Sequence, residues 1–370
     1  MTGGITRFCA LALACLCCTP ALAARIVDPA SARAAISARE IVAQDDGLAA
    51  LASRGRATEL AARLEVIARD ASLDVVAQEW LIDRGLHALA RMAPSPAARA
   101  SVSRLALRAP VAFTRVDPDH GNRATPLYDA GATARFVLKS WERSAAAAAA
   151  AADLAARSSR AVARFERESS AASRDGIADA FRAAPVAELA AQRPAIVSRL
   201  RAGRRMDALA VILATRLADP ELFGLVIDYA DEREARAAVA AVSRALEPGE
   251  ALESLARASR RGDIASAAVL EAGRLAATDP AARRFLFDSL ADPGVAPSAA
   301  AALGRLADPS VSAEIGRRLA GAQSDEARRP LVLALRLDAS PAARAELERF
   351  AREGGGSPKL RAKAARGLER

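Results

Sequence analysis

The chain of 370 residues carries 53 Lys and Arg against 44 Asp and Glu, a formal charge of +9, and is 52% hydrophobic but only 4% aromatic. That apolar content supports a core held by packing alone, and the absence of a concentrated basic stripe with aromatics argues against a nucleic-acid partner. All four cysteines, Cys9, Cys15, Cys17 and Cys18, lie within the first 23 residues, so the rest of the chain has no disulfide framework, Cys nucleophile or Cys metal site.

Residues 1–23 read as a cleaved secretory signal. Arg7 forms the positive n-region, Phe8 to Cys18 the apolar run, and Ala21-Leu22-Ala23 the small-x-small site, with cleavage expected after Ala23. The run of about eleven residues is short of the roughly 20 that a spanning helix needs, so no transmembrane span is expected in the mature chain. A lipid anchor on Cys15 is disfavoured, because Ala12 stands where a bacterial lipid-attachment box carries Leu. The expected location is the periplasm or the exterior. Lys139, Lys359 and Lys363 are the only lysines, and Arg suits bidentate recognition of an anionic envelope polymer, lipid head groups or an acidic protein face. The opposing reading is that scattered Arg residues pair with Asp and Glu along helices.

About a quarter of the chain is Ala, and Pro and Gly fall between periodic runs, which predicts an all-α protein without strands. Residues 24–108 read as an N-terminal helical, repeat-like region. Its helices span Ala34 to Val42, Glu59 to Ala68, Leu73 to Ala90 and Ala97 to Leu107, with breaks at Asp45-Asp46-Gly47, Asp70-Ala71-Ser72 and Pro94-Ser95-Pro96. Trp80 and Leu81 are expected in the core, and His87 is read as a packing or capping residue.

Residues 109–131 contain Pro110, Pro118, Gly121 and Pro126 and read as an irregular loop, longer than a helix connection requires. The loop gathers Arg115, Asp117, Asp119, His120, Asn122, Arg123, Tyr128 and Asp129, candidate binding residues in a place where function tends to sit. Asp117-Pro118-Asp119 alternates oxygen donors as a calcium loop does, yet Gly121 stands where an EF-hand loop carries Asp or Asn, and the closing Glu is missing. His87 and His120 are the only histidines, which rules out a His-rich metal site within one chain. No metal or cofactor is expected. There is no Gly-x-Ser-x-Gly elbow, and Gly354-Gly355-Gly356-Ser357 reads as a linker, so no catalytic residue is assigned.

Residues 132–200 form a long helical region, first from Ala132 to Glu168 through the eight-alanine run Ala145 to Ala152. Phe136, Val137 and Trp141 are expected to bind this helix to the preceding layers, and the Ser-rich stretch Glu168 to Asp175 to break it. Residues 201–370 carry a repeat. Leu275, Leu306, Leu337 and Leu368 are 31 residues apart and end AAVLEAGRL, SAAAALGRL, RPLVLALRL and LRAKAARGL; two looser units end at Leu217 and Leu246. Asp219-Pro220, Glu247-Pro248, Asp279-Pro280, Asp308-Pro309 and Ser340-Pro341 then punctuate the helix pairs, with Pro at a first turn and a capping residue before it. Leu286, Ile315 and Leu347, six residues past their Pro, are predicted core, and Asp288, Arg317 and Arg349 outward-facing.

The phrase Ala300 to Pro309, AAALGRLADP, resembles the short HEAT-like repeat also found in phycobilisome lyases, here in a chain of exported bacterial type. The resemblance is clear over about 265–370 and loose over 206–264. It implies an α-solenoid of antiparallel helix pairs whose second helices line a concave surface, with Gly273 and Gly304 allowing close approach; Leu335 and Arg366 depart from that pattern. The resulting expectation is a non-catalytic scaffold or adaptor that binds a protein or an anionic envelope component through that surface, including Arg317 and Arg349, and through the 115–129 loop. The alternative is an enzyme or enzyme-accessory module using the loop's carboxylates and His120.

Overall fold

Alanine-rich periodicity and the turn residues between its runs produce twenty helices among the described residues, together with one small sheet. A computed structural model describes residues 25–115, 124–353 and 355–366. It divides the chain into two units, residues 1–142 and 143–370; the boundary falls inside a helix, not at 131 or 200 where composition shifts.

The first unit contains β1 (Arg25–Ile26), α1 (Pro29–Ser37), α2 (Arg39–Ser53), α3 (Ala57–Arg69), α4 (Val75–Leu89), α5 (Pro96–Leu105), β2 (Ala112–Arg115), β3 (Ala124–Pro126) and the start of α6 (Ala130–Ala155). Helix α4 is its centre and touches α1, α2, α3 and β2. Leu81, Ile82, Leu86 and Leu89 of α4 pack with Leu60, Leu64 and Ile67 of α3. Trp141 is buried as expected, its indole N–H donating to the main-chain oxygens of Leu89 (3.1 Å) and Met92 (2.9 Å), which satisfies the polar end of a large core side chain. Phe136 is 57% exposed, so the face that binds α6 is Ala134, Val137 and Trp141. Asp45-Asp46-Gly47 does not break the chain. It lies within α2, where Ile41 and Leu48, two turns apart, are both buried and hold the helix through the polar run.

The expectation of a chain without strands is corrected. Strands run in the order β1-β2-β3, with β1 parallel to β2 and β2 antiparallel to β3. The segment read as an irregular loop is thus in part a pair of strands. Val111, Phe113 and Thr114 have β-forming side chains, and the segment's backbone partners come from both sides: on one, Arg25 N–H donates to Val111 O and Val27 N–H to Phe113 O, each at 2.8 Å, and on the other Leu127 N–H donates to Ala112 O at 2.9 Å.

The second unit takes the rest of α6 and then α7 (Arg160–Arg167), α8 (Ala171–Ala183), α9 (Val186–Arg201), α10 (Asp207–Leu217), α11 (Pro220–Tyr229), α12 (Glu232–Ala245), α13 (Pro248–Ala258), α14 (Ala265–Leu275), α15 (Pro280–Ser289), α16 (Ala296–Gly304), α17 (Pro309–Gly321), α18 (Asp325–Leu337), α19 (Pro341–Glu353) and α20 (Pro358–Ala365). The Ser-rich break is shorter than expected, since α8 already begins at Ala171. Helices α10, α12, α14, α16 and α18 touch one another in that order, and each of α11, α13, α15 and α17 packs on the helix that follows it.

The acid-Pro joints act as caps. Side-chain oxygens accept from main-chain N–H groups at Asp219 (Leu222, 3.0 Å), Asp279 (Ala281, 2.8 Å), Asp308 (Ser310, 2.8 Å) and Ser340 (Ala343, 3.2 Å). Glu247 makes no such bond. Leu286, Ile315 and Leu347 are buried, and Asp288, Arg317 and Arg349 are exposed. The periodic Leu is less central than its regularity implies: Leu275 is buried, Leu306 half-buried and Leu337 49% exposed. It ends α14 and α18 and lies two residues past the end of α16, while Leu303 and Leu335 are more deeply buried. The two glycines do mark close approach. A Cβ on Gly304 would lie 2.5 Å from Ala334 O, and one on Gly273 2.9 Å from Ala302 Cβ.

Candidate functional site

Asp117, Asp119, His120, Asn122 and Arg123 lie outside the described residues. Arg115 ends β2 opposite Ala124. Tyr128 packs half-buried against the small cluster of Val27, Ala32, Val76 and Ala112; burial pushes its hydroxyl above the usual phenol range, and the Asp83 charge adds to this. Asp129 accepts from Ala132 N–H at 2.7 Å, the geometry of a helix cap for α6. The described part of the loop is therefore held by structural contacts.

The group that organises this region is Glu79, which sequence reading passed over. It lies on α4, 1% exposed, and its carboxylate accepts from Val111 N–H (2.7 Å) and Ala112 N–H (3.2 Å). Burial pushes Glu79 above the usual carboxylate range, opposed by those two N–H groups and by the Arg108 guanidinium. Arg108 itself is pushed down by burial; it donates to Ala68 O (2.9 Å) and Gln78 Oε1 (3.1 Å). One signal for Glu79 was present: Val76, Glu79 and Ile82 recur every three residues, which places the acid on the apolar face of α4.

A second polar cluster follows one turn later. Thr133 Oγ1 donates to Asp83 Oδ1 at 2.6 Å, and His87 Nδ1 lies 3.4 Å from Asp83 Oδ2 and 2.9 Å from Asp83 O. A hydrolytic relay needs the imidazole between hydroxyl and carboxylate. Here the carboxylate stands in the middle, so the cluster orients Thr133 and His87 instead of activating a nucleophile.

In the second unit Arg317 pairs with Glu314, and Arg349 with Glu346 at 2.7 Å. Both are side chains of the exposed helix faces, and Arg349 also borders a hollow of about 190 Å³ beside Phe350. A larger feature lies nearby: an open groove of about 970 Å³ bounded by the end of α15, the starts of α16 and α18 and the end of α17. Its walls include Phe287, Leu290, Pro293, Pro330 and Leu331. Arg318 stacks over the Phe287 ring at 4.5 Å and donates to Glu314 at 2.7 Å, and these contacts fix the guanidinium at the groove edge. Hydrogen bonds from Arg318 and Arg317 hold Glu314 below the usual carboxylate range.

Neither cluster supplies metal chemistry on the residues described: no group of three or more His, Cys, Asp or Glu is placed to hold an ion among the described residues. No helix among them is long and apolar enough to cross a membrane. No protein-family model matches this chain, and no curated protein sequence matches it.

Proposed function

We propose that the protein is a non-catalytic binding scaffold, an exported α-solenoid that holds another protein through the surface of its C-terminal unit. The observation that carries this reading is the large apolar groove with a charged edge, set among helices that contact one another in sequential order. Sequentially stacked helix pairs form extended surfaces, and such a surface recognises a partner through its exposed grooves. The 31-residue spacing of Leu275, Leu306 and Leu337 and the Asp and Ser caps at the joints support the repeat reading. The signal-like residues 1–23 support export to the periplasm or beyond.

Capture with the full chain tests the reading. Immobilised protein, crosslinked to an envelope extract, is expected to retain one protein saturably and at reproducible stoichiometry. A turnover measured on envelope substrates, with no retained protein above background, would overturn it. Sequencing the N-terminus of the exported product is expected to begin at Ala24.

A further inference from the structure

The groove at the α15–α18 end of the second unit has a chemistry that specifies more than "protein". Three cations border it, Arg318, Arg329 and Lys363, against one carboxylate, Glu326. Arg318 is engaged by Glu314. Arg329 and Lys363 are exposed and make no ion pair among the described residues. The neighbouring acid Asp325 is held by Ser357, whose N–H donates to it at 3.1 Å and whose hydroxyl bonds it as well; Arg328 lies 3.7 Å away, and the charge of Arg329 acts on it without forming an ion pair. Between these two cations the floor is apolar and shaped by Leu290, Pro293, Pro330 and Leu331. Prolines hold the two helix starts without offering N–H donors of their own, because Pro297 opens α16 and Pro330 lies within α18.

We infer that this groove receives an acidic segment of the partner protein that inserts an apolar side chain between the prolines and sets carboxylates against Arg329 and Lys363. The inference rests on the binding reading above and assigns its site and the chemistry of its ligand. Apolar contact on the floor supplies the anchor, and the unpaired cations select the sign of the flanking charge. An open groove of this volume matches a helix or extended segment laid along it, a recurring mode of peptide recognition.

The test uses the full chain and three fluorescent synthetic peptides of about 14 residues, a length of roughly four helical turns. One is built from Leu, Phe and Glu; in the others Lys or Gln replaces every Glu. The Glu peptide is expected to bind at least about tenfold more tightly than the Lys peptide, with the difference shrinking as salt rises from about 0.05 to 0.5 M, since exposed charges are screened. The double variant Arg329→Glu, Lys363→Glu alters only exposed side chains and is expected to reverse that preference. Ala327 also lines the groove, and Ala327→Gln, which puts a larger polar side chain there, is expected to weaken all three peptides alike. Equal affinity for the Glu and Lys peptides, an unchanged preference in the double variant, or binding to phosphatidylglycerol vesicles with none to the Glu peptide would each overturn the inference. Partner capture that persists in the double variant would sink this groove while leaving the scaffold reading standing. Peptide selectivity in a chain that captures nothing would do the reverse.

Discussion

Both units cap helices at Asp-Pro or Ser-Pro joints, Asp28-Pro29 and Ser95-Pro96 in the first, and they differ in what else secures the chain between helices. In the first, the segment after α5 is tied to the body by one buried carboxylate, Glu79, which accepts two main-chain N–H groups and faces Arg108. In the second, the connections between helices rest on the Asp-Pro and Ser-Pro joints, each a cap within its own pair. Leaving a buried hydrogen-bonding group without its partner costs about 1–3 kcal/mol, and Glu79 serves two of them, whereas losing one cap costs about 1 kcal/mol. A concentrated device makes the first unit vulnerable at one residue; a distributed one lets the second tolerate the loss of any single joint.

The sharpest way to break this contrast uses the two tryptophans, Trp80 and Trp141, both in the first unit. Glu79→Ala is expected to lower the stability reported by tryptophan fluorescence in urea by about 3 kcal/mol. Asp308→Ala should leave that signal unchanged and shift the far-UV circular dichroism transition by about 1 kcal/mol. Comparable losses from the two substitutions would erase the distinction.

Acid acts with opposite sign on Glu79 and Glu314. Glu79 binds its proton more tightly folded than unfolded, so its contribution is fully present below the unfolded pKa and is lost as pH rises through the raised folded value. Glu314 is depressed by its Arg318 and Arg317 hydrogen bonds, so its contribution is present above the unfolded pKa and is lost as pH falls through the folded one. On acidification from neutrality, the wild type should therefore gain stability relative to Glu79→Gln and lose it relative to Glu314→Gln. Urea titrations of the three proteins at several pH values check both directions.

Within the second unit, close packing is the next largest lever. In Gly304→Ala the new methyl meets the Ala334 carbonyl oxygen and Leu337 Cβ, so α16 and α18 must separate, at about 1–3 kcal/mol against a helix-propensity gain of about 1 kcal/mol. Hydrogen exchange should show lost protection confined to α16–α18. Gln192 acts in the opposite direction. It is fully buried on α9, and neither polar atom of its amide has a partner among the described residues, so Gln192→Met is expected to stabilise the unit by about 1–2 kcal/mol in thermal unfolding. The smallest effect is expected at Ala307, whose φ of +51° places a Cβ in the left-handed region just before the Asp308 cap. Ala307→Gly should stabilise by up to about 1 kcal/mol, and a destabilisation there would show that the Ala methyl contributes packing that outweighs its strain.

Much of the second unit was legible in advance. The Pro-phased core residues Leu286, Ile315 and Leu347 are buried, four of the five caps form, and the close approaches fall at Gly273 and Gly304. The first unit was harder to read. Asp45-Asp46-Gly47 has turn chemistry but stays helical because Ile41 and Leu48 are anchored on either side, and the segment after Pro110 becomes strand because Arg25, Val27 and Glu79 supply partners for its backbone. The candidate residues Tyr128 and Asp129 carry packing and a cap, and the groove escaped notice because its walls come from helices that each look ordinary alone.

What is local was settled by order of residues: where helices form, how Pro and Asp or Ser start them, which face of each is apolar, and the 31-residue frame they share. These depend on contacts within a few positions along the chain, which periodicity and capping chemistry encode directly. Pairing a helix carboxylate with amides 32 and 33 residues away, or setting Phe287 and Pro330 in one groove, required the helices to pack. Burial and charge environment are properties of the space between elements, and no stretch of the chain contains that space by itself.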